Sequence, residues 1–204
     1  MIQVPAIIMG RSPTLHSSGP PAAAAYFFVS PQGSGVRIMM IRRISRSDLL
    51  DITRIQDECY SDHFVESKAS FSAKLSAHSE LSFVALQDGL VVGYVFALPW
   101  VYGGVPTLNG LEYSIPPNAD SLYIHDIAVS RVARKAGLAE RLLNSVLHAA
   151  NQKGCRRVFL VAVQGASSYW RRHGFEDVYV SSELRQCLAS YGEGATYMAR
   201  PVVA

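Results

Sequence analysis

The sequence predicts a single mixed α/β domain, and three observations carry that prediction. Strand-like apolar runs alternate along the chain with stripes of helical period. An Asp-Gly pair, Asp88-Gly89, separates two such runs at hairpin spacing. With 204 residues, 49% hydrophobic and 17% charged, the composition is that of an ordinary globular chain and the length suits one core.

The elements follow in order. Residues 1–35 stand apart. GRSPTLHSSGPPAAAAYFFVSPQGSG is rich in Gly, Pro, Ser and Ala and shows no sustained periodicity. Three readings stay open for this leader: a disordered tail, a targeting segment, or sequence upstream of the true start at Met39 or Met40. The domain is placed at residues 36–204. VRIMMIRRI is the first expected strand, and Ser47 is the expected N-cap of a helix whose stripe is Leu49, Leu50, Ile52, Ile55 and Cys59. SKASFSAKLSAH forms a second helix. LSFVALQ and LVVGYVFAL flank the Asp-Gly turn as a hairpin. A long loop spans residues 99–120, and a strand, SLYIHDIAV, covers 121–129.

The next helix places Leu138, Leu142, Leu143, Val146, Leu147 and Ala150 on one face. RVFLVAV is a buried strand, and SSYWRRHGF is a short helix closed by Gly174. Two weaker strands are expected near 176–180 and 196–202.

Charge and cysteine use narrow the function. The net charge is +3, but residues 1–47 hold five Arg and no acid, so residues 48–204 carry 14 basic against 16 acidic residues. That balance gives no case for nucleic-acid binding. No apolar stretch approaches the ~20 residues that span a bilayer, so no membrane partner is expected. Cys59, Cys155 and Cys187 lack CxxC spacing, and the six histidines lack HExxH pairing. No metal site is expected, and the compartment reads as reducing and cytoplasmic.

RVARKAGLAERLL, residues 131–143, puts Arg134, Lys135, Ala136, Gly137, Leu138 and Ala139 at the mouth of a helix. A helix N-terminus leaves about four N–H groups unpaired and carries partial positive charge. Glycine lets an anion approach that backbone closely. The segment is neither a Walker A loop nor a GxGxxG fingerprint.

The ordered set R-x-x-G-x-A (Arg134, Gly137, Ala139), preceded by YIHDIAV and followed by YWRRHGF, resembles the GNAT superfamily of acetyl-CoA-dependent N-acetyltransferases. The resemblance covers residues 36 to about 180. It implies a single mixed-sheet GNAT (acyl-CoA N-acyltransferase) domain with a splayed central strand pair. It also implies a pyrophosphate site on residues 134–139 and a pantetheine edge along Ile127, Ala128 and Val129. Acetyl-CoA would be the cosubstrate and an amine would attack it directly.

LYIHDIAV is similar to the matching strand of arylalkylamine-type members, in which the position of His125 removes a proton. The position of Tyr123 is usually a second histidine there, so this chain departs from that subgroup. Strand alternation puts Tyr123, His125 and Ile127 on one face and Asp126 on the other. His125 is then the candidate base, titrating near neutrality, with Tyr123 on its proton path. Asp126 and Glu112 are candidate acceptor-binding carboxylates, and Glu112 is the alternative base. Many GNAT enzymes carry a tyrosine five residues before the GF phenylalanine as general acid; here Trp170 stands there, a coenzyme-binding candidate. Tyr169, one residue earlier, is the candidate acid. The expected partner is a small or arylalkyl-type amine, with the protein monomeric or homodimeric. The alternatives are a peptide or protein α-amine acetyltransferase, or a coenzyme-A-binding GNAT module without turnover.

Overall fold

The computed structural model describes residues 23–29, 36–61, 64–134 and 136–202. The strands are β1 (Ala23–Val29), β2 (Val36–Arg43), β3 (Phe83–Gln87), β4 (Leu90–Trp100), β5 (Ser121–Val129), β6 (Arg157–Ala162), β7 (Glu176–Asp177) and β8 (Thr196–Pro201). The helices are α1 (Leu49–Cys59), α2 (Lys68–Ala77), α3 (Leu138–Gln152), α4 (Ser167–Arg172) and α5 (Ser182–Ala189). Their mixed α/β arrangement is the one expected from the sequence. The strands form one sheet in the order β1-β2-β3-β4-β5-β6-β8-β7. Among the described residues only β5 and β6 run parallel; the other pairs are antiparallel.

Two apolar clusters lie on opposite faces of the sheet. Leu138, Leu142, Leu143 and Val146 of α3 pack with Tyr169, Trp170 and Phe175 against Ile124, Ile127 and Leu160. Leu49, Ile52 and Ile55 of α1, Phe71 and Leu75 of α2 and Leu184 and Leu188 of α5 pack against Tyr94, Phe96, Tyr123 and Phe159. Burial of these stripes is the main source of stability.

Local differences from the sequence expectation have local causes. The N-cap expected at Ser47 moves to Ser45, because Asp48 accepts from the Ser45 backbone N–H at 2.8 Å and also pairs with Arg42 at 2.7 Å. A helical turn over Arg46–Asp48 therefore precedes α1. The hairpin turn holds Asp88 at φ 51° and Gly89 at φ 84°, the two positive φ values that a type I′ turn requires. The strand expected over 176–180 stops at Asp177. Helix α5 lies outside the sequence expectation; the Ser181 hydroxyl accepts from Leu184 N at its start.

The sheet also reaches upstream of residue 36. Strand β1, AAAYFFV, lies inside the segment assigned to the leader and pairs along its whole length, Ala23 to Val29, with Arg42 to Val36 of β2. Residues 1–22 and 30–35 lie outside the described residues. A chain beginning at Met39 is expected to fold, because every described core residue lies at or after Met39. It should lose the strand covering β2 and associate through that edge, a change that light scattering against concentration would report.

Candidate active site

The site is built where β5 leaves its parallel neighbour. β5 and β6 pair only from Leu122 to Ile124, opposite Val158 to Leu160. Beyond Ile124 the strands separate, so Ile127, Ala128 and Val129 have a partner strand on the β4 side alone. A backbone edge opens there inside the sheet, as the splayed pair was expected to provide.

A register shift sits at the same point. Phe96 opposes Asp126 and Ala97 opposes Ile124, so His125 is the extra residue of a β-bulge. The bulge overturns the expected alternation. Ile124 and Ile127 join the α3 face, whereas Tyr123 and Ala128 join the α1 and α2 face. His125 and Asp126 are therefore both on the α1 and α2 side, not on opposite faces.

His125 is buried, and its Nε2 lies 2.8 Å from Glu66 Oε2. Glu66 comes from the connection between α1 and α2. Gln56 clamps its backbone, donating to Glu66 O at 2.9 Å and accepting from Glu66 N at 2.8 Å. The Glu66 carboxylate also accepts from Lys74 Nζ at 2.8 and 2.9 Å, and from Asn109 N at 2.6 Å. Lys74 is itself buried, with Ser70 Oγ at 2.8 Å and the Phe71 and Tyr113 rings at 5.2 and 4.8 Å.

Burial alone would raise Glu66, but His125 and Lys74 hold its carboxyl far below the usual range. Burial lowers His125 to about 4, with Glu66 opposing only part of that effect. His125 is therefore neutral at physiological pH, and the Lys74 ammonium is the charge that balances Glu66. The titration near neutrality expected from the sequence moves into the acid range.

Asp126 is also buried. Its Oδ1 lies 2.5 Å from Tyr60 Oη and its Oδ2 lies 2.5 Å from Tyr94 Oη. Both oxygens are thus engaged inside the protein and none is turned to an acceptor. Tyr123 is buried with its ring 5.8 Å from that of His125, and burial keeps its phenol protonated. Glu112 is exposed on the loop 101–120. That loop meets the His125 cluster instead through Asn109 and Tyr113.

The turn after β5 is pinned from α1. Glu58 accepts from Ser130 Oγ at 2.6 Å and from Arg131 N at 3.3 Å. Arg134 reaches back to Val129 O at 3.5 Å and to Cys59 Sγ at 3.6 Å. Lys135 lies outside the described residues. Ala136 packs on the α3 core, and Leu138 and Ala139 are buried. Gly137 is the N-cap of α3 at φ 69°; among the described residues no side chain caps the helix, and no atom beyond its chain neighbours and the helix's own backbone lies within 4 Å of where a Cβ would stand.

On the α3 face, Tyr169 and Trp170 are both buried, and Trp170 packs against Phe175. The Tyr169 hydroxyl and Trp170 Nε1 have no hydrogen-bond partner among the described residues. Burial pushes the Tyr169 phenol well up. Buried donors without a described partner, in one cluster with Leu138 and Ala139 at the start of α3 and Ile127 of the open edge, suit a long ligand with an anionic end and carbonyl acceptors. The residues present thus fit coenzyme A.

The sheet divides the candidates named from the sequence. His125, Tyr123 and Asp126 lie on one face, Tyr169 and Trp170 on the other. Glu66, Lys74, Gln56, Tyr60 and Tyr94 went unnamed; only Ser70 and Lys74, four apart on the stripe of Phe71, carry any sign in the sequence.

A family model described as acetyltransferase (GNAT) family matches residues 48–175. The uncharacterized N-acetyltransferase YkwB of Bacillus subtilis (strain 168) is 25% identical over 138 residues, 62% of this chain and 61% of that protein. The chain therefore matches less than two thirds of that relative's length. Among solved structures, Ard1 from Thermoplasma volcanium superposes with a TM-score of 0.62 at 18% identity, covering 81% of this chain and 99% of that one. The GNAT-like decarboxylase GphF in complex with isobutyryl-CoA gives 0.64 at 18% identity, covering 80% and 99%. These likenesses show the fold.

Proposed function

Because the chain belongs to the acetyltransferase (GNAT) family, we propose that it transfers the acetyl group of acetyl-CoA directly to a primary amine, small or arylalkyl in type. The observation that carries this reading is the opening of β5 from β6 beside a buried histidine, with the uncapped N-terminus of α3 next to it. The acyl-CoA complex of the similar GphF fold supports the choice of cosubstrate. Bound acetyl-CoA would supply the activated thioester.

The chain's own residues divide the remaining work. The N–H groups at the start of α3, with Arg134 beside them, hold the anionic end. The backbone of Ile127, Ala128 and Val129 offers a strand edge to the arm. His125, donating from Nε2 to Glu66, keeps its basic nitrogen at Nδ1, and its low pKa keeps that nitrogen unprotonated across the physiological range. Trp170 donates a hydrogen bond but no proton, and the Tyr169 phenol is held protonated. Water then protonates the thiolate. Asn109 and Tyr113 close the loop over Glu66 and Lys74, and a closed cover favours a small amine over a peptide chain.

Assay of an amine panel with free-thiol release tests the reading; no transfer to any primary amine by protein that binds acetyl-CoA would leave a binding module. His125→Ala is expected to lower kcat/KM about 100-fold with acetyl-CoA affinity unchanged. After allowance for the amine's own ionisation, the wild-type profile should stay flat from neutral pH and fall only toward about pH 4. An acid limb near pH 6.5, or no effect of the substitution, would place proton removal elsewhere.

A further inference from the structure

A second polar cluster lies beside His125, and its hydrogen bonds outnumber the protons its phenols bring. Asp126 Oδ1 and Oδ2 contact Tyr60 Oη and Tyr94 Oη at 2.5 Å each, and Tyr60 Oη also lies 3.1 Å from Ile127 O. That makes three oxygen-to-oxygen contacts. Each phenol has one proton to give, so an ionised Asp126 leaves one contact without a proton.

The charges on this face lead the same way. Among the described residues this face buries two carboxyls, Glu66 and Asp126, and one ammonium, Lys74, which bonds Glu66 through both oxygens. Among the described residues, the other groups around Asp126 are Tyr60 and the buried thiol Cys59 at the end of α1, Tyr94 from β4 and neutral His125 from β5. Arg134 is turned to Val129 O and Cys59 Sγ. An ionised carboxylate buried without a bonded cation is costly. Burial, with the Glu66 charge, raises Asp126 by more than the N-terminal positive charge and its two phenol bonds lower it.

We propose that Asp126 is a neutral carboxylic acid at physiological pH, donating its proton to Tyr60 so that Tyr60 donates to the Ile127 carbonyl and fixes the open edge of β5. The arrangement satisfies all three contacts: Asp126 to Tyr60, Tyr60 to Ile127 O, and Tyr94 to Asp126. Asp126 is thus a positioning residue, acting on the strand edge through Tyr60. Its value to acetyl-CoA binding rests on the reading above; its protonation does not.

Two measurements test it. The first compares thermal unfolding of wild type and Asp126→Asn from pH 4 to pH 8. A carboxyl raised above its unfolded value of about 3.9 keeps its proton folded while the unfolded chain loses it, so wild type loses stability as pH rises. Asparagine reproduces the neutral acid, donating to Tyr60 and accepting from Tyr94. The variant should match wild type at pH 4 and gain on it with rising pH, by about 3–5 °C per pKa unit. A deficit of Asp126→Asn that deepens with pH overturns the proposal.

The second needs no variant. In wild type labelled with ¹³C at aspartate carboxyls, one resonance should hold the neutral-acid position at pH 7. All resonances at the ionised position would overturn it. Tyr60→Phe should then raise the KM for acetyl-CoA several-fold with kcat nearly kept. Its failure after a positive carboxyl result would remove the link to the coenzyme edge alone.

Discussion

Gly137→Glu should abolish coenzyme A binding in a protein that still folds. Gly137 sits at φ 69° as the N-cap of α3, where no described residue outside its own turn lies within 4 Å of the point a Cβ would occupy, so a side chain meets no wall there. The left-handed backbone costs a non-glycine residue about 1 kcal/mol, which a domain of this size survives. The lost binding therefore comes from a carboxylate standing at the positive end of the helix, where the diphosphate is proposed to lie. Gly137→Asn is the control: asparagine tolerates the same φ, brings similar bulk and carries no charge. Calorimetry should show no detectable binding for the Glu variant and a weakened but measurable affinity for Asn. Equal affinity in wild type and Gly137→Glu would remove the anion site from this turn.

Lys74→Met should produce the largest loss of stability. Lys74 and Glu66 form a buried pair with both carboxylate oxygens bonded, and removing the ammonium leaves Glu66 charged and buried without its counter-ion. Breaking such a pair costs about 3–5 kcal/mol, or roughly 10 °C in Tm for a chain of this length. The sign of the pH effect is fixed by the same chemistry. Lys74 and His125 hold Glu66 low, so the pair's contribution is present above the carboxyl's ordinary pKa and fades as pH falls through and below it. The deficit of Lys74→Met should therefore shrink toward pH 4, where Glu66 takes a proton. Adding Glu66→Gln should recover part of the loss at pH 7. A Lys74→Met protein as stable as wild type would mean that the pair adds nothing to the fold.

The sequence reveals what depends on period and on local chemistry. The stripe of α3, the Asp-Gly turn and the apolar runs of β4 and β6 are each set by neighbours a few residues away, and each stands as expected. Helix α5 is hard to see because its apolar contribution is only Leu184 and Leu188 amid exposed polar residues. The candidate site is legible in part. His125 and the Arg134–Ala139 turn announce themselves by type and spacing. Glu66 does not, since it meets His125 across 59 positions of chain and only the packing of α1 and α2 on the sheet joins them. Glu112 is the more visible acid by its place among aromatic loop residues, but it stays in solvent. The face of Asp126 departs from expectation for a different reason: strict alternation holds only in a regular strand.

That irregularity in β5 acts as a phase shift in a two-beat pattern. Up to Ile124 the even positions look toward α3; from Ile127 the odd positions do. Two consecutive side chains, at 125 and 126, consequently share one side, which doubles the density of ionisable groups the strand can present there. Deleting one residue at this point would restore a uniform beat while keeping the downstream half in phase with α3. An extra residue inserted after Asp126 would instead invert Ile127, Ala128 and Val129 together, turning isoleucine toward Tyr60 and Tyr94 and alanine toward Leu138. When sequences of this fold are aligned, a one-residue gap placed anywhere else in the strand would assign every later side chain to the wrong side.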